Sequence, residues 1–250
     1  MPPPKRVKQT DAIFDQLKLV NPQADRADDT LRISIDAKAT VNVGPFSRRG
    51  RSRTKTKAAD HDFKPEATLT PFGIFLPQYD DLWLYMARSK VTGDFIVDRL
   101  EQWWQEARLR FLSVKTLVIN LDNGPENHSR RTQFLKRVVG FARKFGLAVQ
   151  LAYYPPYHSK YNPIERCWGI LEMHWNGSLL DTVEAVVGFA RSMTWKGKHP
   201  VVNMVETAYH KGVKLKPKEM KELESEVVRT VGLGKWFVEI PAGKTSIRDG

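Results

Sequence analysis

The pattern of hydrophobic and polar residues predicts five β-strands. Residues 31–36 alternate between apolar and polar side chains, which is the pattern of a strand with one buried face. Residues 71–89 contain two apolar runs around a polar turn, so we expect a β-hairpin there. The continuous apolar run 114–122 is typical of a strand that is covered on both faces, and residues 147–154 form a further strand.

Apolar residues at helical spacing predict the helices that connect these strands. The two clearest cover residues 93–111 and 130–146, and Gly146 ends the second as a C-cap. Further helices are predicted at residues 162–175, 183–193 and 216–229. The order of strand, hairpin, helix, strand, helix, strand and helix predicts an α/β domain with a five-stranded mixed sheet flanked by helices. This order matches the RNase H-like fold.

The charge of the chain favours a polyanionic partner. Forty Lys and Arg residues against 28 Asp and Glu residues give a formal net charge of +12, which indicates nucleic acid first and an acidic membrane surface second. An insertion after the first strand holds six basic residues and no acid: Arg48, Arg49, Arg51, Arg53, Lys55 and Lys57. This basic run is interpreted either as a contact to the nucleic acid backbone or as a solvated loop.

The sequence speaks against several other classes of protein. Cys167 is the only cysteine, so no disulfide can form within the chain. No run of 18 apolar residues occurs, so neither a transmembrane helix nor a membrane partner is expected. No glycine-rich phosphate-binding motif is present, so no nucleotide cofactor is expected. Cysteine usage and the absence of a signal peptide predict a cytoplasmic location.

Three acidic residues stand where an active site could be built. Asp36 ends the alternating strand, Asp122 ends the buried strand, and Glu165 begins a helix after a segment rich in Tyr and Pro. Each also has a purely structural interpretation. Asp36 can be an ordinary strand-end acid, and Asp122 can belong to an Asp-Asn-Gly turn. Asn162, Pro163 and Glu165 fit a capping box with Asn162 as the N-cap, and local rules favour that interpretation.

Three converging carboxylates would have a clear chemical use. Mg²⁺ is a hard cation that takes one or two carboxylates together with water and substrate phosphates. Two such ions about 3.5–4 Å apart can stabilise both the attacking and the leaving oxygen of a phosphoryl displacement. Neighbouring carboxylates repel one another without a cation, so a cluster of them is costly unless it has a function. The three acids are therefore candidate metal ligands.

Several segments resemble those of a known family. "SIDAK", "NLDNGPEN" and "YYPPYHSKYNPIERCWG" resemble the DDE transposases, whose catalytic domain is RNase H-like and similar to that of retroviral integrases. The last segment is similar to a block of the Tc/mariner-related bacterial insertion sequences. Together with "RISIDAK", "SRRTQF" and "HWNG", the set resembles the Rhodopirellula transposase DDE domain most closely. The resemblance extends from about Lys8 to about Ile240.

The resemblance implies a reaction and a role for each acid. It implies cleavage of double-stranded DNA at transposon ends and strand transfer into target DNA, with two Mg²⁺ (or Mn²⁺) ions as cofactors. Asp36 would bridge the two ions and Asp122 would bind one of them. Glu165 would bind the other ion and help to orient the attacking water.

Three more residues lie beside this triad in the sequence. Asn123 follows Asp122 directly and would support the site or contact the substrate. His158 and Lys160 lie in the Tyr- and Pro-rich segment and would contact DNA. A solvated or packing role for His158 is left open.

The resemblance also sets expectations about the organisation of the chain. Residues 31–195 are predicted to form the catalytic domain, between an N-terminal extension (1–30) and a helical or irregular C-terminal extension (196–250). Asp36 comes so early that no helix-turn-helix DNA-binding region is expected before it, which indicates a fragment or a truncated gene product. The interval from Asp122 to Glu165 is longer than is typical of Tc/mariner relatives. A bacterial, nucleoid-associated location is implied, and a homodimer is left open.

Two alternatives to a complete transposase are considered. One is a nuclease on the same fold that hydrolyses DNA without strand transfer. The other is a non-catalytic, DNA-binding remnant of a transposase. The presence of Asp36, Asp122 and Glu165 favours an enzyme over the remnant. Only the family resemblance favours strand transfer over hydrolysis alone.

Overall fold

The fold class predicted from the sequence is confirmed in a computed structural model of the chain, which is an α/β structure. The structure describes residues 7–46, 64–210, 212 and 215–243. The basic run predicted to contact DNA lies outside the described residues. None of the described helices has the length and apolar content needed to cross a bilayer.

The helices and strands follow one another along the described chain with these bounds. The strands are β1 (Thr30–Ala37), β2 (Val41–Val43), β3 (Ala67–Leu76), β4 (Asp81–Ala87), β5 (Thr116–Leu121), β6 (Ala148–Tyr153), β7 (Val201–Val205), β8 (Val228–Arg229) and β9 (Phe237–Ile240). The helices are α1 (Thr10–Arg26), α2 (Gly93–Ala107), α3 (Thr132–Phe145), α4 (Ile164–Trp175), α5 (Val183–Ser192) and α6 (Pro217–Glu224).

The chain forms two compact units, and it passes between them several times. The first unit comprises Met1–Ile35, Thr92–Asn162 and His210–Gly250. The second comprises Asp36–Val91 and Pro163–Tyr209. Strand β1 (Thr30–Ala37) contributes residues to both units.

The first unit is built on parallel strands. β5 pairs in parallel with both β1 and β6, and β9 continues the sheet antiparallel to β6. The register of β1 on β5 runs from Thr30 opposite Thr116 to Ser34 opposite Asn120. β5 is buried along almost its whole length, as its continuous apolar run predicts. α2 packs against α3, and α1 and α3 contact β6.

The second unit contains the predicted hairpin. β3 and β4 pair antiparallel, β2 pairs antiparallel with β3, and β7 pairs in parallel with β4. α4 buries one face against these strands, and its apolar side chains share a core with theirs: Leu69, Phe75, Leu84, Ile164, Trp168 and Leu171. A Cβ atom at Gly73 would lie 2.6 Å from Ile164 Cδ1 and 2.8 Å from Trp168 Cη2. Glycine at this position of β3 therefore allows α4 to lie close to the strand.

Several elements differ from the prediction in extent or number. The five predicted strands are all present as β1, β3, β4, β5 and β6, and β2, β7, β8 and β9 are additional. The helix predicted at residues 216–229 ends at Glu224, and its last two residues form β8. β2 and β8 have three and two residues, too few to show a periodic pattern, and pairing with the longer strands β3 and β9 defines them.

The predicted division at residues 30 and 195 stays a prediction. In the structure, residues from both predicted extensions take part in the first unit. Trp236 Nε1 donates a hydrogen bond to Gln9 Oε1 at 3.0 Å, and Gln9 Nε2 donates to the Gly232 carbonyl at 2.6 Å. Described residues of the two predicted extensions are thus joined by hydrogen bonds.

Candidate active site

Asp122 lies in the first unit and is held by an amide from its own loop. It follows β5 directly and is half-buried. Asn127 Nδ2 donates a hydrogen bond to Asp122 Oδ1 at 2.9 Å, and Asn127 is buried, with 7% of its surface exposed. A carboxylate offers about four acceptor positions. The bond from Asn127 orients Asp122 and leaves most of these positions available to other partners. The turn follows at residues 125–127, so Asp122 precedes it.

The loop after Asp122 is anchored to the rest of the first unit at two points. Tyr153 Oη donates to the Asn127 carbonyl at 2.6 Å, and Arg229 Nη2 donates to the Ser129 carbonyl at 3.0 Å. Burial raises the pKa of Tyr153 well above its usual value, and the charge of Asp122 raises it further, whereas Arg229 lowers it. The Tyr153 hydroxyl therefore stays protonated at neutral pH and remains a donor.

Asp36 is bonded to α4 within the second unit. Trp168 Nε1 donates to Asp36 Oδ2 at 2.8 Å, and Trp168 is 4% exposed. Trp168 lies one helical turn after Glu165. A second link lies further along the helix, where Lys38 Nζ pairs with a Glu172 carboxylate oxygen at 2.7 Å. The helix that carries Glu165 therefore holds Asp36 in place.

Glu165 is half-buried in the first turn of α4, and the capping box predicted around it is wrong. Pro163 is the N-cap residue of α4 and makes no side-chain cap hydrogen bond. The Asn162 side chain bonds to β1 instead: Ser34 Oγ donates to Asn162 Oδ1 at 2.6 Å, and Asn162 Nδ2 donates to the Ile35 carbonyl at 3.1 Å. Asn162 is only 1% exposed, so its amide must be satisfied inside the fold, and β1 supplies the partners.

The three acids are thus divided between the units, with Asp122 in the first and Asp36 and Glu165 in the second. The last paired residues of β1 and β5 are Ser34 and Asn120, and Asp36 and Asp122 each follow two residues later. Among the described residues, no group of three or more His, Cys, Asp or Glu side chains lies close enough to hold a metal ion. The donor atoms themselves suit Mg²⁺ or Mn²⁺, because all three are carboxylates and Asp36 and Asp122 are each oriented by a neutral N–H donor.

The other predicted site residues differ in their exposure. His158 is 6% exposed and packs edge-on against Phe14, with the ring centroids 5.5 Å apart, so it has the packing role that the sequence left open. Lys160 is exposed, and its Nζ lies 5.2 Å above the centre of the Tyr161 ring. Asn123 is half-buried. Contacts of these residues with DNA or substrate stay predictions.

The family model described as the Rhodopirellula transposase DDE domain matches residues 2–242. The chain belongs to this transposase family. Comparison with curated proteins gives no match.

Solved structures show the fold to which this DDE domain is similar. The Mos1 transposase paired-end complex with the left transposon end has a TM-score of 0.51 and 11% sequence identity, and the match covers 74% of this chain and 54% of that one. The Mos1 mariner paired-end complex with Mn also has a TM-score of 0.51 and 11% identity, with 73% and 54% covered. The DDE domain thus spans about half the length of these chains. The likeness confirms the RNase H-like fold.

Two residues that support the acids of the DDE domain were not predicted as such. Helical spacing places Trp168 in the core, which it does occupy, but a buried indole N–H needs a hydrogen-bond partner. Its spacing of three residues from Glu165 is the signal that could have placed it beside the acids. Asn127 gave no comparable signal, because asparagine within a loop is usually exposed.

Cys167 has no part in the chemistry of this site. It is fully buried, and burial together with the nearby charge of Asp80 raises the pKa of its thiol to about 12. The thiolate is the nucleophilic form of cysteine. At pH 8 a pKa of about 12 instead of about 8.5 lowers the thiolate fraction by roughly 10³-fold.

We therefore expect Cys167 to resist thiol reagents in the folded protein. Reaction with Ellman's reagent at pH 8 should be negligible over an hour and complete within minutes after unfolding in guanidinium. Fast stoichiometric reaction of the folded protein would contradict the buried position of this thiol.

Proposed function

We propose that this DDE domain cleaves DNA phosphodiester bonds at transposon ends and joins the freed strand to target DNA. The observation that carries the proposal is the hydrogen bond from Trp168 to Asp36, because it orients one acid of the motif from the helix that bears another. The bond from Asn127 to Asp122 orients the third in a similar way. Carboxylates that are oriented by hydrogen bonds from buried side chains are typical of metal-dependent catalysis.

Asp36, Asp122 and Glu165 are the proposed ligands of two Mg²⁺ or Mn²⁺ ions. When bound, such ions stabilise the charge that develops on the attacking and the leaving oxygen of an in-line displacement. The Mn²⁺ alternative is in keeping with the Mos1 mariner complex, whose structure was determined with Mn. A matching ion in this chain is part of the proposal.

The chain's own residues have distinct tasks in the two proposed steps. In the first step a water molecule attacks the phosphorus atom and gives up a proton to solvent. The bond to the 3′ oxygen breaks, and that oxygen takes up a proton from solvent and becomes the 3′ hydroxyl. Glu165 accepts a hydrogen bond from that water and orients it. In the second step the freed 3′ hydroxyl attacks a target phosphodiester and the target's 3′ oxygen leaves. Asp36 and Asp122 would hold the ions that bind the reacting phosphate, because carboxylates alone would repel it.

A pair of DNA substrates separates this proposal from its alternatives. Uncut, labelled transposon-end DNA tests cleavage, and a pre-cut end with a free 3′ hydroxyl tests joining to a plasmid. We expect Mg²⁺-dependent products in both assays and none in EDTA. Cleavage without joining would indicate a hydrolysis-only nuclease. DNA binding without either product would indicate a non-catalytic remnant and overturn the proposal.

The basic run at residues 48–57 is proposed to contact DNA phosphates. Replacing its six Lys and Arg residues with Gln should weaken binding to any DNA sequence at low salt. The slope of log K against log salt is negative, and each lost phosphate contact makes it less steep by about 0.9. Fluorescence anisotropy between 50 and 200 mM salt measures that slope. An unchanged slope would show that the run is a solvated loop.

A homodimer and a nucleoid location stay predictions.

A further inference from the structure

The loop of Asp122 contains a buried polar atom that the hydrogen bonds of the fold leave unused. Only 7% of the Asn127 surface is exposed. Its Nδ2 donates a hydrogen bond to Asp122 Oδ1. Its Oδ1 is buried and accepts no hydrogen bond among the described residues. A buried amide oxygen without a donor destabilises the fold, so such an atom in a folded protein indicates a ligand or a water molecule beside it.

The orientation of this amide follows from its partner. Asp122 is a carboxylate that only accepts hydrogen bonds in its ionised form, so the Asn127 atom facing Asp122 Oδ1 must be the NH₂ group. The carbonyl oxygen Oδ1 is then the atom that points away from that bond. An exchange of the two amide atoms would place two oxygens against each other.

Gly124 shows where the unused oxygen points. A Cβ atom built on Gly124 would lie 3.1 Å from Asp122 Oδ2, 3.2 Å from Asp122 Oδ1 and 3.3 Å from Asn127 Oδ1. The three oxygen atoms therefore face the side of Gly124 from which a side chain would project, and glycine leaves that side clear. The backbone of Gly124 is not in the left-handed region, so a turn conformation does not explain the glycine.

We propose that Asn127 is a positioning residue and that the space beside Gly124 holds a water molecule from the hydration shell of a divalent cation bound by Asp122. The inference rests on the proposed function, since it takes Asp122 as a metal ligand. Mg²⁺ keeps several of its waters when proteins bind it, and each such water is a donor that Asn127 Oδ1 can accept. The Asn127 amide would thereby orient the carboxylate with one end and the cation's water with the other.

Two substitutions test this role in different ways. Gly124→Ala fills the space and leaves every polar group in place, and its φ angle accommodates alanine. Asn127→Leu keeps the number and branching of the side-chain heavy atoms and removes both polar atoms. Titration with Mn²⁺, followed by electron paramagnetic resonance, measures the dissociation constant without any DNA present. We expect both variants to bind Mn²⁺ about tenfold more weakly, within the range known for groups behind metal ligands.

Control variants make every outcome informative. Gly140→Ala makes the same chemical change in α3, where no atom lies within 4 Å of the added carbon, and should bind Mn²⁺ like the wild type. Asp122→Asn should lose the ion altogether. If Asp122→Asn loses Mn²⁺ while Gly124→Ala and Asn127→Leu bind normally, the inference is overturned and the proposed function stands. If the wild type binds no Mn²⁺, or Asp122→Asn binds like the wild type, both are overturned. Should Asn127→Leu fail to fold, the comparison of Gly124→Ala with Gly140→Ala decides.

Discussion

The Glu165→Gln variant is expected to lose cleavage of transposon-end DNA by a factor of roughly 10³ or more. A ligand of a catalytic cation supplies several kcal/mol of transition-state stabilisation, and each 1.36 kcal/mol corresponds to about a tenfold change in rate. Glutamine has nearly the same size as glutamate but lacks the charge. Because the Glu165 side chain does not form the predicted capping box, its replacement should leave helix α4 intact. The measurement is the rate of strand cleavage in Mg²⁺, with the melting temperature determined for the same preparation.

Glu184→Gln provides the matched control for this substitution. Glu184 is exposed and lies in the first turn of α5, so it makes the same favourable interaction with a helix N-terminus as an acid at the start of α4. We expect Glu184→Gln to cleave DNA at the wild-type rate. Equal cleavage by the wild type and Glu165→Gln would remove Glu165 from the active site. A lower melting temperature of Glu165→Gln with unchanged activity would show that the residue serves the helix alone.

The Trp168→Phe variant is expected to lose roughly 10–100-fold in cleavage rate, the range known for groups that orient metal ligands. Phenylalanine keeps an aromatic ring in the core but cannot donate the hydrogen bond to Asp36 Oδ2. The Asp36 carboxylate then loses the hydrogen-bond donor that α4 supplies. Because this is a positioning role, the Mn²⁺ dissociation constant should rise together with the loss of rate. A purely structural role would lower the melting temperature and leave Mn²⁺ affinity unchanged.

Trp195→Phe makes the same chemical change elsewhere in the second unit. Trp195 Nε1 donates to Asp80 Oδ1 at 3.0 Å, so this variant also removes an indole-to-carboxylate hydrogen bond and part of an aromatic side chain. Asp80 is not a candidate ligand. We expect Trp195→Phe to lose some stability but to keep its Mn²⁺ affinity. Equal loss of Mn²⁺ affinity in both variants would contradict the role given to Trp168.

The longer elements of this fold could be predicted from the sequence because each carries enough residues to show a period. The continuous run that became β5 and the helical spacing that became α3 are examples, and Gly146 does end α3 with a φ of 65°. β8 has two residues and β9 has four, so neither shows a period. Such strands exist because a neighbouring strand offers hydrogen bonds, which is information that a local pattern does not hold.

The start of α4 shows why local rules reached only part of the candidate site. Asn162 is followed by Pro163 and, three residues after the Asn, by Glu165, which is a good capping sequence. The helix does begin within this segment, at Ile164. The Asn162 amide was assigned to the wrong partner because Ser34 and the Ile35 carbonyl are distant in the sequence. Asn127 is likewise held by a residue that is distant in the sequence, because Tyr153 Oη donates a hydrogen bond to its carbonyl. Acid positions are visible in a sequence, whereas the contacts of Asn127 and Asn162 are visible only in the fold.

One measurement asks whether the three acids share bound metal. Fe²⁺ can replace Mg²⁺ in an oxygen-ligand site, and with ascorbate and peroxide it produces hydroxyl radicals that cut the polypeptide next to the ion. Mass spectrometry of the fragments then maps the residues around the ion. We expect cuts near Asp36, Asp122 and Glu165, all suppressed by excess Mg²⁺ and all reduced in Glu165→Gln. Cuts near only one of these residues, or at other positions, would contradict a shared site and with it the proposed reaction.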